Sequence, residues 1–570
     1  MQLNTIFYNG RIYTANLNNS MVNAIWIKDG IIQQVGDYEE LKVIIESDTE
    51  HYDLQNKIIL PGIIDSHMHP FWGGKQINGY HLNYDALTID ELLSKVQSFL
   101  DAEQDKGADE WLKVTAWQRQ SMIPEGTDLD NDILDRLNTV RPIVVFANDC
   151  HTLVANSRAL ELLGLNPNMT DPPDGKIRRN EAGELNGVLE DAPAMRAFDS
   201  IKVQIGKSNV EIAREVQNLL NQQGVTTIMD ARVFEEHLDA FGTLQANNEL
   251  TVRVLGAREV TPEKAKTNES IEETFNQIVE FINTYHNTIY SPQPGIHIHH
   301  IKFFIDGVLQ SPITTASLLQ PYNLKNIKTG EWEVTNNYGD LYFTQNQLEL
   351  LFRKVADLKL HPHCHTVGEG AINSVLRATQ KIRNEYPDLD FRPGLAHNEL
   401  VAEHQFEQFK LLDAIPVLSF QWSGLTEEMA EQERKKLGDE RFINLEPIAK
   451  FIDRGVKIAY GSDWPIDRLD EWYNLQVGIT RQIWDTDADQ LAGPVLDNDR
   501  GLSIFEAINA ATINAAFMLG MEKYIGSLEV GKFADLIILE NDLFNFKPEE
   551  VFKTKIEKTV VGGKIVFTNQ

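Results

Sequence analysis

Leu60-Pro61-Gly62-Ile63-Ile64-Asp65-Ser66-His67-Met68-His69 is the stretch from which the rest of the chain is read. Its first half is apolar and β-branched, so it reads as a buried strand. Its second half carries an acid and two imidazoles. Alternate residues of an extended chain share a face, so His67 and His69 project together. In a parallel barrel the downstream ends of the strands converge on one face, and chemistry is built there. Alone, a His-x-His pair is better explained as two exposed histidines at a loop start. At the end of an apolar strand it becomes a candidate half of a metal site.

Four more segments fit the same face. They are Lys302 within Ile301-Lys302-Phe303-Phe304-Ile305-Asp306-Gly307, then His365, His397, and Asp463 within Gly461-Ser462-Asp463-Trp464-Pro465. Each lies in or just beyond an apolar run. Imidazoles plus a carboxylate suit a divalent ion that activates water, which points to a hydrolase. His361, His363 and His365 alternate onto one face. His365, nearest the strand end, is the favoured ligand, His363 the reserve, and His361 a structural or supporting group. A buried Lys302 needs a partner or must lose its charge. It either pairs with Asp306 or a ligand carboxylate, or it is carbamylated to bridge two ions. Asp463 can coordinate an ion and accept a proton from water, and it can also cap the following helix.

Eight runs read as barrel strands: 58–65, 225–230, 252–256, 299–305, 358–363, 394–397, 415–420 and 456–460. Helical segments separate most of them, and the one over 212–223 stops at Gly224. Alternating strands and helices give an α/β chain with a (β/α)8 TIM barrel. Residues from about 70 to 210 are too many for one loop and hold their own strand, Pro142-Ile143-Val144-Val145-Phe146, so they read as an inserted α/β subdomain that roofs the pocket. Both termini are β-rich. Ile6-Phe7-Tyr8 and Arg11-Ile12-Tyr13 read as a hairpin about Asn9-Gly10, and Ala24 to Val35 as a second about Asp29-Gly30. Ala534 to Leu539, then Lys558 to Val561 and Ile565 to Phe567 about Gly562-Gly563, repeat the style. Isolated hairpins are barely stable. The expectation is one small composite β-sandwich from 1–57 and 521–570, flanking a barrel domain over 58–520.

The chain has 570 residues and a net charge of −32, with 42% hydrophobic and 24% charged residues. So acidic a surface argues against nucleic acid and anionic membrane as partners. No run reaches the roughly 20 apolar residues of a membrane helix, and no signal peptide is evident. Two cysteines, Cys150 and Cys364, make no disulfide framework and fit a cytoplasmic location. The expected partner is a small-molecule substrate; a homo-oligomer stays open.

These residues carry a resemblance. The stretch 61–69 resembles the first-strand signature of the amidohydrolase superfamily. Within it, the chain is similar to the amidohydrolase family 3 branch that includes N-substituted formamide deformylases, over nearly its whole length. Asp149-Cys150-His151 with Val154-Ala155-Asn156-Ser157 resembles the substrate-side segment of that branch. Gly183-Glu184, Gly187-Val188-Leu189, Gly224-Val225-Thr226-Thr227, 302–307, His365-Thr366-Val367-Gly368, 461–465 and 526–536 follow at similar spacing, whereas Trp117-Gln118-Arg119-Gln120 matches loosely. The branch usually has Gly-Asp after its fifth-strand histidine, where this chain has Gly368-Glu369, and His361 and His363 are additional. Both departures bear on metal count and fine geometry.

The resemblance implies an amidohydrolase that cleaves a carbon–nitrogen bond. His67, His69, Lys302, His365, His397 and Asp463 would hold one or two divalent ions, zinc first. Asp463 would move the proton, and His151 would contact the substrate or steady the oxyanion. A surface or packing role for His151 weighs nearly as much. One rival is a deaminase of the same superfamily, which places a proton-donating glutamate three residues after histidine; here Glu369 is four after His365. A second is a non-catalytic barrel scaffold, against which so many costly polar groups in one place argue. Trp72, Tyr80, Trp117, Trp332 and Trp422 are pocket candidates, with core packing the commoner role.

Overall fold

The eight apolar runs form one parallel sheet in sequence order. Its strands are β1 (Ile63–Met68), β2 (Val225–Asp230), β3 (Arg253–Glu259), β4 (Ile296–Phe304), β5 (His361–Thr366), β6 (Gly394–His397), β7 (Ile415–Leu418) and β8 (Ala459–Tyr460). The computed structural model describes residues 4–172, 174–203, 206–326, 329–486, 488–496 and 499–569. Continuous burial along β1, β2 and β5 is what a parallel sheet covered on both faces requires.

The barrel is a nearly closed (β/α)8 fold. β8 and β1 share no ladder; side chains and loop backbone join them instead. The Ser66 hydroxyl donates to the Tyr460 carbonyl at 2.6 Å. The Ser462 N–H and hydroxyl donate to the two oxygens of Asp65, at 3.0 and 2.5 Å. The Asp463 N–H donates to the His67 carbonyl at 2.7 Å, and the His69 N–H to the Trp464 carbonyl at 2.7 Å. Gly461 allows this approach, since a Cβ there would sit 2.5 Å from the His67 Cβ. The seam therefore sets Asp463 beside His67 of β1 and His69 just after it.

The helix Asn209–Gln223 covers β1 and β2. A capping box from Ser208 and Glu211 starts it, and Gly224, at φ +88°, ends it. At the upstream end of the barrel the helix Ile513–Met518 acts as a plug, where Ala515, Ala516 and Met518 pack with Ile64, Met229, Leu255 and Val417.

Between β1 and that covering helix lies a six-stranded sheet of Gly175–Arg179, Leu185–Asp191, Thr152–Ala155, Ile143–Ala147, Leu112–Trp117 and Tyr80–His81, in that order. It has its own core around Trp117, Val114, Val145 and Leu92. The helix Pro70–Ile77, within the span read as insert, instead packs on the barrel helix: Gly74 lies against Ile212 and Val216.

Both termini enter one eight-stranded sheet, in which Leu536–Leu539 pairs antiparallel with Ile58–Pro61. Two sequence readings change here. The run 58–65 is two strands: Ile58–Pro61 joins the terminal sheet and β1 begins at Ile63. Gly62 is the break, because a Cβ there would sit 2.3 Å from Thr226. The Asn9-Gly10 hairpin is also absent. Asn4–Tyr13 is one strand with a bulge, and both halves pair with Met21–Lys28. Asn9 takes the left-handed conformation (φ +59°) that a turn would need, but uses it to step the strand from the parallel partner Glu50–Asp53 to Ile58–Pro61. The turns at Asp29-Gly30 and Gly562-Gly563 do connect hairpins. Both cysteines are free. Among the described residues no helix is long and apolar enough to cross a membrane.

Candidate metal centre

Three of the six candidate ligands form one tight group. A ring nitrogen from His67, a ring nitrogen from His397 and an oxygen of Asp463 all lie within 4.8 Å of one another, and all three residues are buried. His67 Nε2 and His69 Nε2 are each 3.3 Å from Asp463 Oδ1, and His397 Nδ1 is 3.8 Å from Asp463 Oδ2. His69 thus stands at the edge of the group. His67 Nε2, His397 Nδ1 and Asp463 Oδ1 are buried without a hydrogen-bond partner. Three orphaned donor atoms converging on one space fit a bound cation, because a buried polar atom without a partner is otherwise costly. Asp463 at φ +57° and His397 at φ +78° both hold strained backbone there.

Burial holds His67, His365 and His397 well below the usual imidazole range, so they are neutral, as ligands must be. Burial pushes Asp463 upward, but the contact with His69 and the nearby charge of Lys302 help to outweigh it and hold the carboxyl below its usual range.

His365 and Lys302 stand around this group rather than within it. The His365 ring is 4.5 Å from that of His397, and its Nε2 donates to the Gly307 carbonyl at 3.0 Å, leaving Nδ1 as the free donor. Lys302 is fully buried in β4, with its ammonium 4.5 Å from the Phe304 ring centre. Burial lowers it to about 8, against the opposing pull of Asp463. The Lys302–Asp306 pair weighed from sequence does not form. The Asp306 carboxylate is occupied by the N–H groups of Ser317 (2.9 Å), Val367 (3.0 Å) and Gly368 (2.9 Å), so it ties the loop after β4 to the turn after β5.

The three histidines of β5 separate by role. His363 Nε2 is 2.7 Å from His67 Nδ1, so it supports a candidate ligand from behind. His361 accepts the Arg392 N–H at 3.3 Å and neighbours His300. Glu369 opens the helix Glu369–Glu385; burial pushes its carboxyl up to about 7, and its Oε2 is buried without a hydrogen-bond partner among the described residues.

The insert reaches the site through His151. Its ring lies 5.3 Å from that of His365, and its Nδ1 is 2.7 Å from Asp191 Oδ1. Burial lowers the basicity of His151, but Asp191 prevails and raises it overall. Sequence reasoning missed Asp191, although Glu190-Asp191 ends the strand Leu185–Asp191 that contains the quoted Gly187-Val188-Leu189. Of the five aromatic candidates, Trp422 stacks on His397 at 5.2 Å and Trp72 lies 5.1 Å from His69. Trp117 is core, bonded to the Met122 sulfur. Tyr80 stacks on Phe99, and Trp332 sits in a two-stranded hairpin with 323–325.

Residues 50–567 match the amidohydrolase family. The chain is 26% identical over 581 residues to the YtcJ protein of Bacillus subtilis (strain 168), covering 99% of each. It is 22% identical over 568 residues to the N-substituted formamide deformylase of Arthrobacter pascens, covering 98% of this chain and 97% of that one. The crystal structure of an uncharacterized metal-dependent hydrolase from Pyrococcus horikoshii OT3 shares the fold, with a TM-score of 0.70 at 22% identity over 95% of this chain and 99% of that one. With a barrel whose strand ends gather histidines and an aspartate, and a family match over most of its length, this chain belongs to the amidohydrolase family.

Proposed function

We propose that the chain is a metal-dependent hydrolase that cleaves the carbon–nitrogen bond of a small amide, an N-acyl or an N-formyl amine, in the cytoplasm. The observation that carries this reading is the convergence of three partnerless buried donors, His67 Nε2, His397 Nδ1 and Asp463 Oδ1. His69 and His365 complete the candidate set, and its mixture of imidazole and carboxylate suits zinc. Lys302 would join as a carbamate: its neutral amine adds to the carbon of carbon dioxide and loses a proton. That added carboxylate would allow two ions rather than one. A divalent ion in such a site lowers the pKa of water towards about 7 and polarises a carbonyl.

The protein groups do the rest. Asp463 takes the proton of the attacking water and delivers it to the departing amine nitrogen. His151, held by Asp191, donates a hydrogen bond to the oxygen that gains charge as the carbonyl is attacked. Trp422 and Trp72 flank the ligands and exclude bulk water, which strengthens these interactions. The four-residue spacing from His365 to Glu369 favours hydrolysis over deamination, which places its proton-donating glutamate three residues after the histidine.

The test is to strip the protein with a chelator, reload it with zinc, and assay a panel of N-formyl and N-acyl amines. Zinc should restore turnover, and His67→Ala should lose both metal and turnover. Full activity in the stripped protein, or no bound metal at all, would overturn the reading.

A further inference from the structure

We infer that the chain carries a second transition-metal site, at the end of the barrel opposite the first, built from His297, His299 and His286. His297 and His299 are alternate residues near the upstream end of β4, whereas the candidate centre lies at the downstream ends of the strands. His286 caps the helix Asn268–Tyr285 that precedes β4. One ring nitrogen from each lies within 4.8 Å of the other two.

The hydrogen bonds around these rings select which nitrogens are free. His297 Nδ1 donates to the Asn287 carbonyl at 2.9 Å, and His299 Nδ1 to the Leu519 carbonyl at 3.0 Å. An imidazole that gives its Nδ1 proton to a backbone carbonyl presents an Nε2 lone pair, and this is how metal-binding histidines are commonly oriented. His297 Nε2 is left without a hydrogen bond among the described residues. His299 Nε2 accepts the Tyr290 hydroxyl at 2.8 Å, a cap that a cation would displace. His286 differs. Its Nδ1 accepts the Ile298 N–H at 3.0 Å, which leaves its proton on Nε2. Coordination through His286 Nε2 must release that proton or give up the amide bond, so His286 is the weakest of the three donors.

Burial keeps His297 at about 3 and His299 at about 4, so neither ring competes for a proton near neutrality. Among the described residues no carboxylate enters the group. A set of neutral imidazoles excludes magnesium and calcium, which take oxygen ligands, and selects zinc, nickel or copper(II). A cavity of about 410 Å³, lined by His286, His297, Asn287, Gln245, Ser291 and Gly295, lies directly against the group and gives an ion a way in. An ion there would clasp the end of the helix Asn268–Tyr285 to β4. Its role would be stabilising, since the upstream face of such barrels serves stability rather than catalysis.

The test counts zinc and copper(II). Stripped wild-type protein titrated with zinc should bind one equivalent more than His297→Ala/His299→Ala, which should keep its turnover. His286→Ala should weaken that equivalent without abolishing it. Tyr290→Phe, which removes the cap, should tighten it a few-fold. His67→Ala/His397→Ala should retain it, and its copper(II) form should show nitrogen hyperfine structure from imidazole in electron paramagnetic resonance. That arm needs no change at the new site and does not depend on the catalytic reading. Equal stoichiometry in the wild type and in His297→Ala/His299→Ala, or no copper bound by His67→Ala/His397→Ala, would overturn the proposal.

Discussion

The two ends of this barrel carry histidine groups of opposite make-up. At the downstream end, His67 and His397 meet an ionised Asp463, and three of the donor atoms have no hydrogen-bond partner among the described residues. At the upstream end, His286, His297 and His299 meet no carboxylate, and four hydrogen bonds from backbone and Tyr290 already occupy the rings. An anionic ligand at the first end offers both charge for a cation and a base for water. A neutral, hydrogen-bonded set at the second offers only lone pairs. The same residue type therefore serves chemistry in one place and cohesion in the other, and the difference lies in the neighbours.

The largest test of that contrast is Asp463→Asn. It keeps the shape but removes the charge and the base, so turnover should fall roughly 10²- to 10⁴-fold, the usual worth of a positioned general base. Steady-state kinetics of zinc-loaded protein measures it, and turnover within a factor of about three of the wild type would erase the contrast. Next comes His363→Leu, which removes the support behind His67. Zinc affinity at the first end should drop roughly 10- to 100-fold, as for other partners of metal-binding histidines. His363→Gln, whose carbonyl can still accept from His67 Nδ1, should restore most of it. A purely packing role for His363 predicts equal loss from both variants.

Smaller effects follow from the frame around the site. Asp306→Ala leaves the N–H groups of Ser317, Val367 and Gly368 without their acceptor. The expected destabilisation is about 3 kcal/mol or more, at roughly 1 kcal/mol or more for each of the three unsatisfied buried groups, read from the urea midpoint. Gly461→Ala pushes a methyl group against His67 at the seam. It should cost about 1–3 kcal/mol as an overpacked contact and weaken zinc binding at the same time. The smallest expected change in turnover is that of His297→Ala/His299→Ala, none beyond error in a kinetic assay, because these residues stand at the far end of β4.

Much of this could be read along the chain. The eight strands showed as apolar runs because a parallel sheet covered on both faces leaves no polar alternation. His67, His397 and Asp463 showed because polar groups at the ends of such runs are expensive unless used. Glycine at 224 and the Asp29-Gly30 and Gly562-Gly563 turns followed from local backbone preference alone. Other features had no local signature. Asn9-Gly10 carries a hairpin dipeptide, yet long-range pairing makes it a bulge. Ile58–Pro61 looks continuous with β1, yet it hydrogen-bonds to Leu536–Leu539, nearly 480 residues later.

Residue chemistry and spacing by themselves determined the strand-helix alternation, the face each histidine occupies, and the donor types at hand. Tertiary structure alone decided which of those donors meet. The stitches from Ser462 and Ser66 across the seam bring Asp463 to His67, and the insert carries His151 to His365. Periodicity is a property of neighbours along the chain, whereas coordination needs atoms within a few ångströms across it, and only closure of the barrel supplies that.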